Sequence, residues 1–164
     1  MTLRKNPTLA LEILDRLQKI DSRYHLSVCG MGGEPLALET FIHLGKRLNL
    51  QHVIRWEGKI PLSDMPMWHR ANGVLLHTSL HEAGLSYAVL EAAASGSDLA
   101  VFDHPGVPEG WPRSMLFSRV DEAVALVCNA VSGRWRAYVC EQHSLDQQIR
   151  RIADVLNRSI DKAC

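Results

Sequence analysis

The sequence predicts an α/β domain built on a mainly parallel sheet, and three observations carry that prediction. Short β-prone apolar runs alternate with amphipathic stretches of helical length. The connections between successive runs are too long for hairpins, so the strands are expected to run parallel through right-handed crossovers. At 164 residues, 46% hydrophobic and 22% charged, the chain has the size and composition of one soluble globular domain able to bury a core. Helices on both faces of such a sheet give a three-layer, Rossmann-like architecture.

Asn6 and Pro7 read as an N-cap and first helical residue, and Ala10, Ile13, Leu14, Leu17 and Ile20 follow at helical spacing. A helix is therefore expected over residues 7 to 21. Residues 25 to 29 form a β-prone run stopped by Gly30-Met31-Gly32-Gly33, the punctuation of a strand that feeds a ligand loop. Leu38, Phe41, Ile42, Leu44 and Leu48 mark the next helix. The alternation continues with a strand at 52 to 56, a helix at 63 to 71 and a strand at 74 to 77, ahead of Thr78-Ser79. A helix at about 86 to 94, a strand at 99 to 102, a Pro/Gly-rich loop at 104 to 112 and a short strand at 115 to 117 come next. Helices near 120 to 131 and 144 to 160 finish the chain. In the last, Leu145, Ile149, Ile152, Val155 and Leu156 share one stripe, which packs either on this domain or across to another. No internal repeat, low-complexity tract or linker interrupts the pattern.

Charge and cysteine usage narrow the function. The 18 Lys and Arg residues balance 18 Asp and Glu, so nothing draws the whole chain to nucleic acid or acidic membrane, and any anion site is local. Cys29, Cys128, Cys140 and Cys164 show neither C-x-x-C spacing nor disulfide-scaffold density, which favours a reducing cytoplasm and structural roles. No apolar run approaches the roughly 20 residues that span a bilayer, and the opening Met-Thr-Leu-Arg-Lys does not lead into a signal-peptide segment. No Asp-x-Asp pair is present to hold a divalent metal against a diphosphate, and neither a metal nor a cofactor is expected.

In a parallel α/β sheet, ligands bind beyond the carboxyl ends of the strands. The loops at 30 to 34, 58 to 62, 78 to 86 and 103 to 112 should therefore line one edge. The richest segment runs from His77 to Gly96 and places a polar loop just ahead of a helix. A helix start offers unpaired N–H groups and partial positive charge, so the amides of Gly84, Leu85, Ser86 and Tyr87 are candidates to hold a diphosphate. Gly84 lets an anion come close because it has no side chain. Glu91, about one and a half turns into the helix, is either a solvated surface charge or an acceptor for vicinal hydroxyls such as those of a ribose. Spacing alone favours the surface charge, since isolated glutamates are usually solvated. His81 is either a loop residue or a polar contact to sugar or phosphate. The tryptophans read as packing residues, with Trp111 the one placed to stack on a sugar.

The segment resembles the signature of glycosyltransferase family 4: a glutamate, seven residues, a second glutamate, then Ala-x-Ala-x-Gly. Residues 90 to 96, Leu-Glu-Ala-Ala-Ala-Ser-Gly, match its second half. Arg4-Lys5-Asn6-Pro7, Val28-Cys29-Gly30, Trp56-Glu57-Gly58 and the Val101 to Glu109 strand and loop fall in the family's order, so the similarity spans roughly residues 3 to 127. The resemblance implies the C-terminal, donor-binding half of a GT-B fold and a retaining hexosyl transfer from a nucleotide-diphosphate sugar to a glycan or lipid-linked acceptor. In the family the second signature glutamate binds the donor ribose, a role that falls on Glu91. The first contacts the donor sugar. Strict spacing puts Ala83 there, while Glu82 stands one residue earlier with eight residues intervening, so its access requires a one-residue loop insertion.

Lys5 resembles the family lysine that meets the diphosphate, which makes Lys5 and Glu82 the candidate catalytic pair. The arginine that accompanies that lysine has no counterpart at its usual place, and Arg4 is the substitute. Gly58, Lys59 and Ile60 sit where the family loop passes the nucleobase. Gly30 to Gly33 form either part of the donor cleft or a plain glycine turn. GT-B enzymes use backbone dipoles and basic side chains instead of a metal, so the leaving diphosphate would be stabilised electrostatically.

By the same resemblance the acceptor-presenting N-terminal domain is absent and the first strand is reduced to Met1-Thr2-Leu3 or missing. The edge so exposed would promote a homodimer. The expected setting is polysaccharide synthesis in the cytoplasm, with the full-length enzyme peripheral at the membrane. Two rival readings are a nucleotide-sugar epimerase-like GT-B domain and a non-catalytic nucleotide- or protein-binding module with a decayed signature.

Overall fold

The computed structural model describes residues 1–30, 32–82, 86–105, 107 and 111–161. In chain order these form α1 (Pro7–Ile20), β1 (Leu26–Cys29), α2 (Pro35–Arg47), β2 (Ile54–Gly58), α3 (Met65–Asn72), β3 (Val74–His77) and α4 (Tyr87–Ser95). There follow β4 (Asp98–Phe102), β5 (Leu116–Phe117), α5 (Val120–Cys128), α6 (Arg136–Gln142) and α7 (Leu145–Asp161). Short 3-10 turns occupy Leu3–Lys5, Gln51–Val53 and Arg113–Met115. The turn at Gln51–Val53 is why β2 starts two residues later than its sequence pattern suggests.

Helix α1 begins at Pro7, where a missing N–H costs nothing, and buries Leu11, Ile13, Leu14 and Leu17. Asn6 stands at the N-cap position but does not cap in the expected way. Its backbone is left-handed (φ 44°, ψ 56°), its side chain bonds no helix amide, and Thr8 Oγ1 donates to its Oδ1 at 3.2 Å. Helix α4 stops at Gly96, whose φ of 98° is one that a side-chain-bearing residue rarely adopts; its amide closes onto Ala92 and Ala93. Helix α5 is fixed at its start by Glu122, whose Oε2 accepts the amides of Ser118 (2.8 Å) and Arg119 (3.2 Å).

All described strand pairs are parallel, but they form two sheets, β1-β2 and β3-β4-β5. Leu26 stands opposite Ile54 in the first; in the second, Val74 stands opposite Asp98 and Val101 opposite Leu116. The sequence suggests one continuous sheet. The division arises because, among the described residues, no strand lies on the free side of β1 or of β3.

Helices cover both faces, so that the sheets form the middle of three layers. On one face Ile13 and Leu17 of α1 meet Ala100, Phe117 and Ala123, while Leu11 and Leu14 of the same helix meet Phe41 of α2 together with Leu26 and Val28 of β1. On the other face Leu99 and Val101 pack under Val89, Ala92 and Ala93 of α4 and Val139 of α6. The alternation along β4 is that of a strand covered on both sides. Helix α7 leaves Leu145, Ile149 and Ile152 exposed, so over these positions the stripe does not pack on this domain. The side chains of Val155 and Leu156 lie outside the described residues. Cys29, Cys128 and Cys140 are free thiols.

Asp98, 1% exposed, ties the C-terminal segments to the sheet. Its Oδ1 accepts from Leu99 N (2.8 Å) and Trp135 Nε1 (2.6 Å), and its Oδ2 from Val131 N (2.6 Å), with the Arg134 guanidinium at 3.3 Å. A buried carboxylate with this many donors is satisfied, and removing it leaves those donors unpaired. Asp98→Ala is expected to cost about 3–5 kcal/mol in urea unfolding. A cost below about 1 kcal/mol would show that this cluster does not hold α6 in place.

Candidate functional site

From β1 the chain moves outward to β2, then crosses back to β3 and proceeds through β4 to β5. The direction of winding reverses between β1 and β3, and the crevice above such a reversal is where an open α/β sheet binds ligands. Residues 1 to 5 lie across that crevice. The Met1 ammonium donates to Gly32 O (2.7 Å), Glu34 N donates to Met1 O (2.8 Å) and Leu3 N to Glu34 Oε2 (3.0 Å), all beyond the end of β1. Two residues further on, Leu80 N donates to Arg4 O (2.9 Å) and Thr78 Oγ1 to Lys5 O (2.8 Å), beyond the end of β3. Gly33 must be glycine here, since a Cβ would stand 2.0 Å from Met1 O.

This strap brings Arg4 and Lys5 to Glu82. Arg4 donates to Glu82 Oε2 at 2.8 Å and to His81 O at 2.9 Å, and Lys5 Nζ pairs with Glu82 Oε1. His77 Nε2 lies 3.5 Å from the same Oε1. The Glu82 side chain is 13% exposed against 51% and 45% for Arg4 and Lys5, so a largely covered carboxylate is neutralised by two cations that keep contact with water. Burial by itself would raise the Glu82 pKa. Hydrogen bonds from Lys5, Ser79 and Arg4 outweigh it and hold the carboxyl at about 2, fully ionised at neutral pH.

His77 is affected in the opposite sense. Burial, the neighbouring Lys5 charge and His104 lower it to about 4 against the pull of Glu82, so the ring is neutral at pH 7. The His104 ring lies 6.0 Å from it, and both His104 Nδ1 (2.9 Å) and His81 Nδ1 (3.0 Å) bond Pro105 O. The loops after β3 and β4 are thereby locked to each other.

The other predicted positions distribute as follows. Gly30 and Gly58 meet at the ends of β1 and β2, where Gly30 N donates to Gly58 O at 2.7 Å, and Ile60 follows half-buried. Ser86 precedes α4 with an extended backbone and makes no side-chain cap. Ala83, Gly84 and Leu85 lie outside the described residues. Glu91 is exposed on α4, one turn from Ala88, with its charge near the buried His69 ring. Trp111 is buried in the core under α4 and α6, so it packs and offers no sugar platform. The backing residues His77, Thr78, Ser79 and His104 were not singled out as site residues by sequence reasoning; the available signal was their position immediately after two apolar strands. Among the described residues no group of three or more His, Cys, Asp or Glu is placed to hold a metal ion.

The family model for glycosyl transferases group 1 matches residues 1–110. This chain belongs to that family. Its fold is that of GT-B glycosyltransferases. A TarM variant from S. aureus, solved with Fondaparinux, alpha-GlcNAc-glycerol and UDP, superposes at a TM-score of 0.74 and 16% identity, covering 94% of this chain and 33% of that one. HepE from Anabaena, solved with UDP and glucose, gives 0.76 and 14%, covering 96% and 46%. The catalytic domain of cholesterol-alpha-glucosyltransferase from Helicobacter pylori gives 0.58 and 16%, covering 94% and 91%. The chain thus spans about a third to a half of the length of the TarM and HepE chains. No curated protein matches it in sequence. The match takes in the residue 1–5 strap, Glu82 and Glu91.

The lowered His77 pKa fixes a pH dependence. The unfolded imidazole takes up a proton near pH 6.5 while the folded one resists until about pH 4, so the contribution is present above 6.5 and is lost as pH falls through that window. Thermal melts between pH 7 and 4 should show falling stability, shared with the burial-lowered His69 and His143. His77→Gln should flatten the slope, and an unchanged slope would place the His77 proton uptake elsewhere.

Proposed function

We propose that this glycosyltransferase chain holds a nucleotide-diphosphate sugar at the β1/β3 crevice and supplies the donor side of a retaining hexosyl transfer to a glycan or lipid-linked acceptor. The observation that carries the reading is the meeting of Arg4, Lys5 and Glu82 beyond β3, ahead of the N-terminal end of α4. The cluster sums to one net positive charge at neutral pH, so it remains attractive to a diphosphate. Lys5 gives a compact cation to phosphate oxygen, Arg4 a planar donor, and the start of α4 around Ser86 a partial positive charge. Glu91, exposed one turn into that helix, is the acceptor for the ribose hydroxyls.

As the bond between the anomeric carbon and the diphosphate oxygen breaks, its electron pair moves onto the diphosphate, and the cations lie where that charge develops. The acceptor hydroxyl oxygen then bonds the anomeric carbon on the face the diphosphate leaves, and its proton passes to the departing diphosphate oxygen. Glu82 acts through Arg4 and Lys5, fixing both side chains at the mouth of the crevice. The UDP in the TarM and HepE structures supports a uridine nucleotide as the carrier. The acceptor is presented by a domain outside this chain, in keeping with the share of those longer chains that it spans. We place the reaction in the cytoplasm, with the complete enzyme peripheral at a membrane; among the described residues no helix is long and apolar enough to cross one.

Calorimetry with UDP and GDP tests the reading. The chain is expected to bind UDP saturably, and Lys5→Ala and Glu91→Ala each to weaken it about tenfold, the loss of one charge-assisted contact. Absence of binding by folded wild type to either nucleotide would leave an interaction module as the better reading, which the engagement of both cations by Glu82 would then favour.

A further inference from the structure

Two histidines share one acceptor on the β4 side of the crevice. His81 Nδ1 and His104 Nδ1 lie 3.0 Å and 2.9 Å from the carbonyl oxygen of Pro105. That oxygen can only accept, so the hydrogen-bond network puts a proton on each Nδ1. In a neutral imidazole this leaves Nε2 as a bare acceptor. His104 is buried, whereas His81 is exposed. We propose that His81 Nε2, oriented through Pro105, accepts a hydrogen bond from a hydroxyl of the donor hexose and makes the sugar contact that Glu82, held by its two cations, does not. The proposal rests on the donor-binding reading of this crevice.

Four observations point to a sugar hydroxyl at this nitrogen. First, the neighbouring acceptors are engaged: Arg4 holds Glu82 Oε2 at 2.8 Å, Lys5 holds Oε1, and Pro105 O takes both rings. His81 Nε2 has no partner among the described residues. Second, His81 is held at both ends. Its backbone oxygen accepts from Arg4 Nη1 at 2.9 Å, and its ring is fixed by Pro105. A ring so held loses little freedom on meeting a ligand. Third, an unprotonated nitrogen repels phosphate oxygen and attracts an O–H group, so the contact is to the sugar and not to the diphosphate. Fourth, the groups lie in the order of the donor. The Glu91 charge is near His69, which lines the space between β1 and β3. Arg4 and Lys5 follow beyond β3, and His81 is tied to the loop after β4. With ribose at Glu91 and diphosphate at the cations, the sugar comes next, on the β4 side. A hexose without a hydroxyl at that position leaves Nε2 unpaired, which makes His81 a specificity-determining contact.

Two substitutions separate this role from a purely structural one. His81→Asn keeps a donor near the Nδ1 position for Pro105 and loses the outer acceptor, whereas His81→Gln reaches the Nε2 position with an acceptor and gives up the Pro105 bond. Calorimetry at about pH 8, above the ordinary imidazole range, uses UDP, UDP-glucose and UDP-N-acetylglucosamine. His81→Asn should leave UDP affinity within about twofold of wild type and weaken at least one UDP-sugar about fivefold, the loss of one neutral hydrogen bond. His81→Gln should weaken that UDP-sugar less. Nitrogen-15 spectra of the wild-type ring, which need no variant to fold, should show the proton on Nδ1 and an Nε2 resonance that moves with the UDP-sugar and not with UDP. A proton on Nε2 in the free chain, or an Nε2 resonance that moves as far with UDP, would overturn the proposal. So would wild-type binding of UDP but of neither UDP-sugar, equal or no weakening of all three ligands by His81→Asn, or a larger loss for His81→Gln than for His81→Asn. Failure of UDP itself to bind removes the donor reading and this contact with it; any of the other results, with UDP bound, removes the His81 contact alone.

Discussion

The arrangement depends on one helix serving two sheets. Two sides of α1 divide the contacts, with Leu11 and Leu14 facing β1 and α2 and Ile13 and Leu17 facing the β3-β4-β5 sheet and α5. No backbone ladder joins the sheets among the described strands, so their relative placement rests on this apolar packing and on the residue 1–5 strap. Apolar contact is non-directional and depends on area, whereas the strap's hydrogen bonds are directional. The helix holds the sheets together and the strap sets how their carboxyl ends meet.

That division places the chemistry. Arg4 and Lys5 are nearly adjacent to the start of α1, so the element that joins the sheets also carries the cations to the crevice between them. Their partner Glu82 comes from the loop after β3, and His81 and His104 fasten that loop to the one after β4 through Pro105. Three segments far apart in sequence therefore share one small polar cluster. Because the carboxylate is covered and the cations are not, the charge most able to reach a ligand is positive.

Much of this was legible in the sequence because the signals were local and periodic. The five strands and six of the helices announce themselves through apolar spacing and Gly/Pro punctuation, and the parallel order follows from connection lengths. Helix α6 did not, since within its seven residues only Val139 is buried and periodicity needs more turns than that. Trp111 was misjudged for a related reason: a tryptophan between Gly110 and Pro112 reads as a loop residue, and only tertiary packing shows that its ring completes the core under α4. The split between the sheets was not legible in the apolar periodicity, which marks each strand but not its neighbours; only the resemblance, with its reduced or missing first strand, bore on it. Arg4, Lys5 and Glu82 were each singled out from the sequence, but their mutual pairing could not be read from positions nearly eighty residues apart.

Glu82 and Glu91 illustrate how position decides what a carboxylate can do. Glu82 precedes the helix, is largely covered, and has its carboxylate form favoured by hydrogen bonds from Lys5, Ser79 and Arg4 against the raising effect of burial. Moving it toward a sugar hydroxyl would strip the two cations of their counter-ion and leave a partly buried charge exchanging strong charged bonds for weaker neutral ones. Glu91 lies within the helix, exposed, and the one side-chain bond it accepts, from Ser95 Oγ at 2.6 Å, goes to its backbone oxygen and leaves the carboxylate to solvent. It can accept from a pair of hydroxyls while giving up only water. Ligand contact therefore favours Glu91 and scaffolding favours Glu82, and the one-residue displacement of Glu82 from the family spacing is consistent with a carboxylate held by the strap.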